Sequence, residues 1–250
     1  MIDIQNEAEG CGIPLNYVGV SDFKIPIRIN KQPTIAKVKF GISLDEYHKG
    51  IHMSRLCILL NDLEEVNNNS IKQLLATAIK VSQSTFSKVE IESSFYLTKI
   101  APVSQLPSKL FYDTKVVAQS KCGEVEIVHK LTIPLTSLCP CSKAISIYGA
   151  HNQRGNISIE MCNIDTSSYP EIVRLIEKTS ASAELFEVLK RPDEKYVTEF
   201  AYNNPKFVED IVRDAIRILQ TSFPGKVLSV EAVNYESIHE HNAFAYTEVR

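Results

Sequence analysis

The chain has 250 residues, of which 44% are hydrophobic, 23% charged and 8% aromatic, so it can bury a full core and is not a disordered chain. Its formal net charge of -3 argues against a broad electrostatic surface for nucleic acid or an anionic membrane, and neither partner is expected. No apolar run approaches the ~18 residues of a transmembrane helix, and the first residues lack a signal-peptide pattern, so we expect a cytoplasmic protein.

The first half of the chain begins with a strand pattern. Apolar residues occupy every second position from 34 to 45, which predicts a half-buried strand. Helical patterns follow over 54–63 and after Ser70, the second with one apolar face. Short β-prone runs then come at 89–97 and 114–119. The predicted order is therefore strand, two helices, strands.

The second half repeats this order. Alternating apolar residues predict a strand over 125–136 and another over 157–161, after Arg154 and Gly155. One helix is predicted to begin near Tyr169. A second is predicted to open at Asn204 and Pro205, which combine a capping residue with a first-turn proline. A last strand is predicted over 227–234.

The repeated order predicts an α+β protein built from two modules, in which antiparallel sheets carry helix pairs on one face. We place the modules at residues 1–122 and 123–250. No linker rich in Gly, Ser or Pro divides them, so one compact unit is expected. Neither a dinucleotide-binding nor a P-loop glycine motif occurs.

A cluster of reactive residues lies between two predicted strands of the second module. Cys139 and His151 flank the connection, where a hairpin would bring them together. A thiolate and an imidazole are usual ligands of zinc or another first-row divalent metal. A fourth ligand such as Cys141 would close the site as a structural one, whereas three ligands would leave a position for water. A proline-kinked loop with incidental cysteines is the simpler alternative.

Further candidate ligands lie elsewhere in the second module. Asp193 and Glu194 fall in a stretch that we predict to be irregular, between helices. Glu236, His239 and His241 follow the last predicted strand. If that strand stayed regular, both histidines would share one face and Glu236 the other, so their convergence requires a bend or a bulge. An exposed histidine pair is the alternative.

A basic patch at residues 48–55 marks the start of the first helix. It contains His52 and Arg55. Backbone N–H groups at a helix start, together with cationic side chains, can hold phosphate. A solvated helix cap is the simpler explanation.

Several other polar residues are explained by structure alone. His129 lies on an apolar strand face and is expected to be a hydrogen-bonded core residue. Glu209 lies one helical turn before Arg213, which predicts a surface ion pair. Four isolated cysteines are expected to be small hydrophobic residues in or near the core: Cys11, Cys57, Cys122 and Cys162.

The string SLCPCSKAISIYGAHNQRG at 137–155 resembles the type IB GTP cyclohydrolases of bacterial folate biosynthesis. The motifs HMSR at 52–55, RPDE at 191–194 and YESIHEHNAFA at 235–245 support the same resemblance. Archaeal-type GTP cyclohydrolases, which make a cyclic-phosphate dihydroneopterin, are similar and form the alternative. The resemblance implies a tunnelling fold in two tandem modules and a homotetramer with active sites at subunit interfaces.

The resemblance also implies a reaction and a metal. Members of the family hydrolyse GTP at C8 of guanine, release formate and form 7,8-dihydroneopterin triphosphate. The cofactor is one divalent ion, zinc or manganese. Cys139 and His151 match ligands of this ion, and Glu194 matches the carboxylate ligand. Asp193 is the alternative carboxylate, and no ligand role carries over to Cys141.

The catalytic and binding residues carry over in the same way. Glu236, His239 and His241 match catalytic residues. Cys139 is counted as catalytic as well, because it matches a ligand of the metal. Glu209 matches the glutamate that anchors the purine, where a carboxylate accepts hydrogen bonds that adenine cannot donate. One of the two histidines is expected to protonate the ring nitrogen as the ring opens. Four cationic residues are candidates for the triphosphate: Lys143, Arg154, His52 and Arg55.

Two other classes of protein compete with this interpretation. One is a non-catalytic binding protein whose metal only staples a loop, with Cys141 as a further ligand. The other is a nitrile reductase of the tunnelling fold, in which Cys139 would be a nucleophile that works without metal. Dependence of the activity on a metal separates the three.

Overall fold

The computed structural model describes Gln5, Glu7 and residues 12–249. The strands are β1 (Leu15–Ile29), β2 (Gln32–Leu44), β3 (Glu65–Val66), β4 (Phe86–Ile100), β5 (Pro107–Lys121), β6 (Glu124–Leu138), β7 (Asn152–Cys162), β8 (Val227–Asn234) and β9 (Ala243–Glu248). The helices are α1 (Met53–Asn61), α2 (Asn68–Ser82), α3 (Pro140–Ile145), α4 (Tyr169–Thr179), α5 (Arg191–Asn203) and α6 (Val208–Ser222). Within this described part, no helix has the length and apolar character needed to cross a membrane.

The strands form one sheet in the order β3-β1-β2-β4-β5-β6-β7-β8-β9. The pair β1–β2 is antiparallel, as are β2–β4, β7–β8 and β8–β9, whereas the two-residue β3 lies parallel to β1. In β2, Ala36, Val38 and Phe40 are fully buried and alternate with exposed residues. The strand predicted over 34–45 is confirmed, because this alternation places one face of β2 against the core.

The chain divides into two compact units. The first unit comprises Met1–Phe95 and Thr114–His129, and the second comprises Tyr96–Asp113 and Lys130–Arg250. In the first unit α1 and α2 pack together and bury Leu56, Leu60, Ile71, Leu74, Leu75 and Ala78. A capping box opens α2, because the Asn67 side chain accepts from the Ser70 backbone and the Ser70 hydroxyl accepts from the Asn67 backbone. Both predicted helices are confirmed.

In the second unit, α6 packs against α4 and β8. The buried side of α4 consists of Tyr169, Ile172, Val173, Ile176 and Glu177, and that of α6 consists of Val208, Ile211, Val212, Ala215 and Leu219. These residues recur at three- and four-residue spacing, which gives each helix one apolar face. The helix predicted near Tyr169 and the strand predicted over 227–234 are confirmed.

Two boundaries in the second unit correct the sequence prediction. Asn204 does not open α6; it caps the end of α5, where its backbone N–H donates to the Ala201 carbonyl at 3.1 Å. Its Nδ2 donates to the carbonyls of Ala181 at 3.0 Å and Ser182 at 3.2 Å. The helix α6 begins at Val208, where the Asp210 carboxylate accepts from the Phe207 backbone N–H. Asn204 lies four residues before the first residue of α6, whose cap position is occupied by Phe207, so it is too early in the chain to cap that helix.

The stretch around Asp193 is helical, although we predicted it to be irregular. The helix α5 begins at Arg191, and the Asp193 carboxylate accepts from the Lys190 backbone N–H at 2.9 Å. Proline in the first turn and an acidic residue three positions after the cap are both start signals for a helix. Only Asp193 and Ala201 of α5 are buried, which explains why its apolar periodicity was too weak to detect.

The single-residue expectations have mixed outcomes. His129 is fully buried and its Nε2 lies 3.1 Å from Asn68 Oδ1, as predicted. Cys57 and Cys162 are half-buried, which agrees with a place near the core. Cys122 is exposed, because it occupies the tight turn between β5 and β6 with a φ of 52°. Cys11 lies outside the described residues.

A buried group of charges lies in the second unit. Lys99 Nζ is 2.7 Å from Glu177 Oε2 and also contacts the Glu184 carboxylate. The Tyr112 hydroxyl donates to Glu177 Oε1 at 2.7 Å. Side-chain exposure is 8% for Lys99 and 3% for Glu177. Burial raises the pKa of the Glu177 carboxyl above its ordinary value, against the opposing effects of Lys99 and Tyr112.

Candidate active site

The two ends of the connection between β6 and β7 meet at Cys139 and His151. Cys139 follows the last residue of β6 and caps α3, where its Sγ accepts from the Ser142 backbone N–H at 3.4 Å. The proline that follows Cys139 suits the first helical position. The Cys139 backbone N–H donates to the His151 carbonyl at 3.1 Å. The two backbones are therefore adjacent, as the hairpin argument predicted.

His151 belongs to a polar group that includes a residue not predicted from the sequence, Gln153. His151 Nδ1 lies 2.9 Å from Gln153 Oε1 and 4.0 Å from Glu236 Oε2. Gln153 Nε2 in turn donates to Glu236 Oε1 at 3.4 Å. Gln153 is the second residue of β7 and follows His151 by two residues, the spacing at which side chains of an extended chain share a face, which could have identified it.

The residues 235–242 form the connection between β8 and β9. It carries Glu236, which is half-buried, and His239 and His241, which are exposed. The two imidazole rings stack with centroids 5.0 Å apart and an interplanar angle of 15°. The chain thus leaves the strand before these residues, and the two histidines form the exposed pair that was the alternative, whereas Glu236 turns to His151 and Gln153.

The start of this connection is held against β7. The Tyr235 backbone N–H donates to the Arg154 carbonyl at 2.9 Å, and Gly155 faces Asn234 in the β7–β8 register. A Cβ on Gly155 would lie 2.4 Å from the Val233 carbonyl oxygen and 2.9 Å from Asn234 Oδ1. Only glycine fits this close approach of the two strands, which explains the glycine of the HNQRG motif.

The neighbouring carboxylates Asp193 and Glu194 differ in environment. Asp193 is fully buried and accepts four hydrogen bonds, from the backbone of Val103, the backbone and hydroxyl of Ser104, and the backbone of Lys190. Burial alone would raise the pKa of Asp193, but these hydrogen bonds outweigh it and hold the pKa well below its ordinary value. Glu194, in the same helical turn, is exposed.

Glu209 is exposed in the first turn of α6. The ion pair that we predicted for it with Arg213 is wrong: Arg213 Nη1 lies 3.5 Å from Asp210 Oδ1 instead. The three-residue spacing to Asp210 competes with the four-residue spacing to Glu209 on one helix face. The Glu209 carboxylate is therefore presented to solvent at a helix start.

The four candidate phosphate-binding residues fall in different parts of the chain. Lys143 donates to the Tyr202 carbonyl and lies 4.4 Å from the centroid of the Tyr202 ring. Arg154 is exposed on β7. In the first unit, His52 and Arg55 line a cavity of about 540 Å³, and Arg55 Nη1 donates to the Val81 carbonyl at 3.1 Å.

The chemistry of the donor set fits a divalent metal at Cys139 and His151. The Cys139 thiol accepts from a backbone N–H, and the contact of His151 Nδ1 with Gln153 leaves Nε2 as the nitrogen that could bind an ion. Within residues 12–249, Gln5 and Glu7, no three His, Cys, Asp or Glu side chains lie close enough together to hold an ion. Cys139 and His151 are thus joined by a backbone hydrogen bond. Glu194, the third predicted ligand, is an exposed carboxylate that does not complete a three-residue group with them.

Comparison with known proteins gives consistent matches over the whole chain. The family model described as type I GTP cyclohydrolase folE2 matches residues 1–245. GTP cyclohydrolase FolE2 of Neisseria gonorrhoeae is 40% identical over 249 residues, which cover 98% of this chain and 96% of that protein. GTP cyclohydrolase FolE2 2 of Dechloromonas aromatica is 40% identical over 252 residues, covering 98% and 93%. The FolE2 of Nitrosococcus oceani is 39% identical, covering 98% and 94%.

Solved structures show the fold. Uricase from Arthrobacter globiformis superposes with a TM-score of 0.53 at 10% sequence identity and covers 94% of this chain and 93% of its own. A hyper-thermostable AgUricase mutant gives a TM-score of 0.51 at 9% identity, covering 94% and 92%. At such low identity the similarity concerns the fold alone, and it confirms the α+β tunnelling fold that the sequence predicted.

Proposed function

The chain belongs to the type I GTP cyclohydrolase FolE2 family, and from this premise we propose the reaction, the metal site and the assembly in detail. The protein is a GTP cyclohydrolase of folate biosynthesis. It converts GTP and water to 7,8-dihydroneopterin triphosphate and formate. The observation that carries the site assignment is the adjacency of Cys139 and His151, with Gln153 linking His151 to Glu236.

Cys139 and His151 would hold a divalent ion, zinc or manganese, with Glu194 as the third ligand. When bound, the ion supplies a Lewis acid that activates water. Thiolate, imidazole and carboxylate suit such an ion, and three ligands leave a coordination position open. Gln153 orients His151 through its contact with Nδ1.

The loop after β8 would supply the proton transfers. The purine ring opens only if a ring nitrogen is protonated, and His239 and His241 are the side chains suited to deliver that proton. Glu236 is held by Gln153 close to His151, so it can orient the histidine side of the site. Glu209 would accept hydrogen bonds from the N–H and amino groups of guanine. Adenine lacks those donors and would leave the carboxylate unpaired.

The identity of the third metal ligand is tested by two adjacent substitutions. Glu194→Ala should weaken zinc binding and leave the melting temperature of the metal-free protein unchanged, since its carboxylate is exposed. Asp193→Ala should instead lower the melting temperature, because four hydrogen bonds that hold residues 103–104 and the start of α5 are lost. Calorimetric zinc titration and thermal unfolding measure the two effects. Equal zinc affinity in Glu194→Ala and the natural protein contradicts the assignment.

The triphosphate site is tested on its arginines. Arg154→Ala and Arg55→Ala should each raise the KM for GTP about tenfold, because a charge-assisted hydrogen bond to phosphate is lost. Arg217→Ala is the matched control, since Arg217 is also exposed but pairs with Asp214 at 2.9 Å. Steady-state kinetics with GTP gives the values. An unchanged KM in either arginine variant removes that residue from the triphosphate site.

We also propose a homotetramer in the cytoplasm, with active sites at subunit interfaces. Its support is an apolar surface on the connection that joins Cys139 to His151: Ile145 is 83%, Ile147 90% and Tyr148 99% exposed. Large apolar side chains grouped in this way are characteristic of a surface covered by a partner. Light scattering of the purified protein measures the assembly. The tandem modules at 1–122 and 123–250 remain part of the same proposal.

The decisive experiment is an assay of the purified protein with GTP, with and without a chelator and with added zinc or manganese. Formate and a linear pterin triphosphate are expected only when metal is present. Mass spectrometry distinguishes this product from the cyclic phosphate of the archaeal-type enzymes. The family matches do not favour that enzyme or a non-catalytic metal-stapled protein. Absence of formate with every metal would contradict the proposed activity.

A further inference from the structure

A buried polar link lies behind the candidate site, formed by Ser137, Lys206 and Asn234. Asn234 Nδ2 donates to Ser137 Oγ at 3.0 Å, and Ser137 Oγ donates to the Lys206 carbonyl at 3.0 Å. The Lys206 backbone N–H then donates to the Leu138 carbonyl at 3.1 Å. Ser137 is fully buried and Asn234 is 3% exposed, so solvent does not compete for these bonds.

The link joins the three chain segments that carry the proposed site residues. Ser137 lies at the end of β6, two residues before Cys139, and Asn234 ends β8, two residues before Glu236. Lys206 lies between α5 and α6, three residues before Glu209. One hydroxyl group therefore connects the metal-ligand segment, the acid-base loop and the purine-anchoring helix.

The side chain of Asn234 is a poor choice for stability alone. Its Oδ1 is buried and has no hydrogen-bond partner within the described part of the chain. A buried amide oxygen without a partner costs free energy, which an apolar residue of similar size would avoid. Gly155 leaves room for this oxygen, since a Cβ there would lie 2.9 Å from it. The feature that asparagine adds is the hydrogen bond from Nδ2 to Ser137.

We infer that Ser137 and Asn234 are positioning residues, which hold Cys139 at a constant distance from the Glu236 loop. The inference rests on the proposed function, since it assigns these residues to the same site. Cys139 and the loop residues must meet the same substrate, and displacement by about 1 Å can lower turnover ~100-fold. A hydroxyl that contacts both neighbouring segments limits such displacement. Neither residue touches the reacting atoms; each acts through the segment that follows it.

The test compares Asn234→Leu and Ser137→Ala with Ser158→Ala. Ser158 is the matched control, because its hydroxyl also pairs between two strands, 3.1 Å from the Thr132 hydroxyl, but joins no site segment. The kcat and KM for GTP are measured on each metal-loaded protein. The affinity for zinc, by competition with a chromophoric chelator, and the melting temperature are measured on each metal-free protein. Ser137→Ala removes only one oxygen atom, so it tests the link even where Asn234→Leu disturbs packing.

The expected result separates positioning from stability. Asn234→Leu and Ser137→Ala should lower kcat about 10- to 100-fold with little change in KM, and weaken zinc binding about tenfold. The melting temperature of Asn234→Leu should stay equal or rise. The double variant should lose no more kcat than the more affected single variant, because both changes break one link. Ser158→Ala should match the natural protein in kcat.

Two results would overturn the inference. One is an unchanged kcat in both Asn234→Leu and Ser137→Ala. The other is a loss of kcat that is proportional to the fall in melting temperature across these two variants and Ser158→Ala, which indicates a purely structural role. Failure of the natural protein to release formate from GTP is a different outcome, which contradicts the proposed function. In that case zinc affinity still decides whether the link positions Cys139, since an affinity equal to that of the natural protein in both variants refutes it.

Discussion

Cys139→Ala is expected to lower formate release from GTP by more than ~100-fold, because loss of a metal ligand exceeds the usual effect of losing a residue that only orients one. The fold should survive, since the hydrogen bond that the thiol accepts from the Ser142 backbone N–H is long, at 3.4 Å. Zinc titration should show weaker binding, and the melting temperature of the metal-free protein should change little. Formate assay and zinc titration on one preparation give both values.

Cys141→Ala is the matched control for this substitution. Cys141 is exposed, two residues from Cys139, and belongs to the same short helix. Its replacement should leave formate release and zinc affinity unchanged, which also excludes a closed four-ligand site. If Cys139 were instead a nucleophile, activity would persist with a chelator present. Activity that resists the chelator, or survives in Cys139→Ala, would refute the metal-ligand role.

Lys99→Met is expected to lower the free energy of unfolding by about 3–5 kcal/mol, the usual cost of removing one partner from a buried ion pair. Lys99 is the cation that faces both Glu177 and Glu184. Its loss removes the cation that lies 2.7 Å from the Glu177 carboxylate, whose side chain is 3% exposed. Urea unfolding followed by circular dichroism measures the change.

Lys115→Met is the control, because Lys115 also contacts two carboxylates, Glu90 at 2.9 Å and Glu92 at 3.1 Å. Its side chain is 34% exposed, so the loss should stay below ~1 kcal/mol. Equal losses in Lys99→Met and Lys115→Met would show that burial does not set the cost.

The effect of Lys99→Met should depend on pH, with a sign that follows from Glu177. Burial raises the pKa of Glu177 in the folded protein, so its contribution to stability is present at low pH and is lost as the pH rises through that value. Without Lys99 the pKa should rise further. The stability gap between variant and natural protein should therefore be smaller at about pH 5 than at about pH 8. A gap that widens on acidification would contradict this explanation.

Local patterns predicted the elements that bury one regular face. The strand β2 and the helices α2 and α4 repeat apolar residues at their characteristic spacing, so periodicity was sufficient. The helix α5 buries only two residues, and its exposed aromatic side chains, such as Tyr196 and Phe200, hid the helical period. Asn204 was assigned to the wrong helix because a capping residue carries no sign of which helix it caps.

The adjacency of Cys139 and His151 was predictable, because the connection between two paired antiparallel strands begins and ends at the same edge of the pair, so its first and last residues lie close together. Gln153 was missed, although its two-residue spacing from His151 was visible in the sequence. Ser137 and Asn234 carry no such signal. They are 97 residues apart, and their importance comes only from a hydrogen bond across the fold.

The amino-acid sequence by itself determined the family, the α+β class and the set of reactive side chains, because motif identity and periodicity are properties of short segments. Tertiary structure alone decided how each side chain is used. Asp193 and Glu194 are adjacent carboxylates in one helical turn, yet Asp193 is consumed by hydrogen bonds from residues 89 and 90 positions away while Glu194 faces solvent. The burial and the hydrogen-bond partners of a side chain depend on which distant segments pack against it. The local sequence around Asp193 and Glu194 is the same for both residues, so it does not show which of the two will be buried.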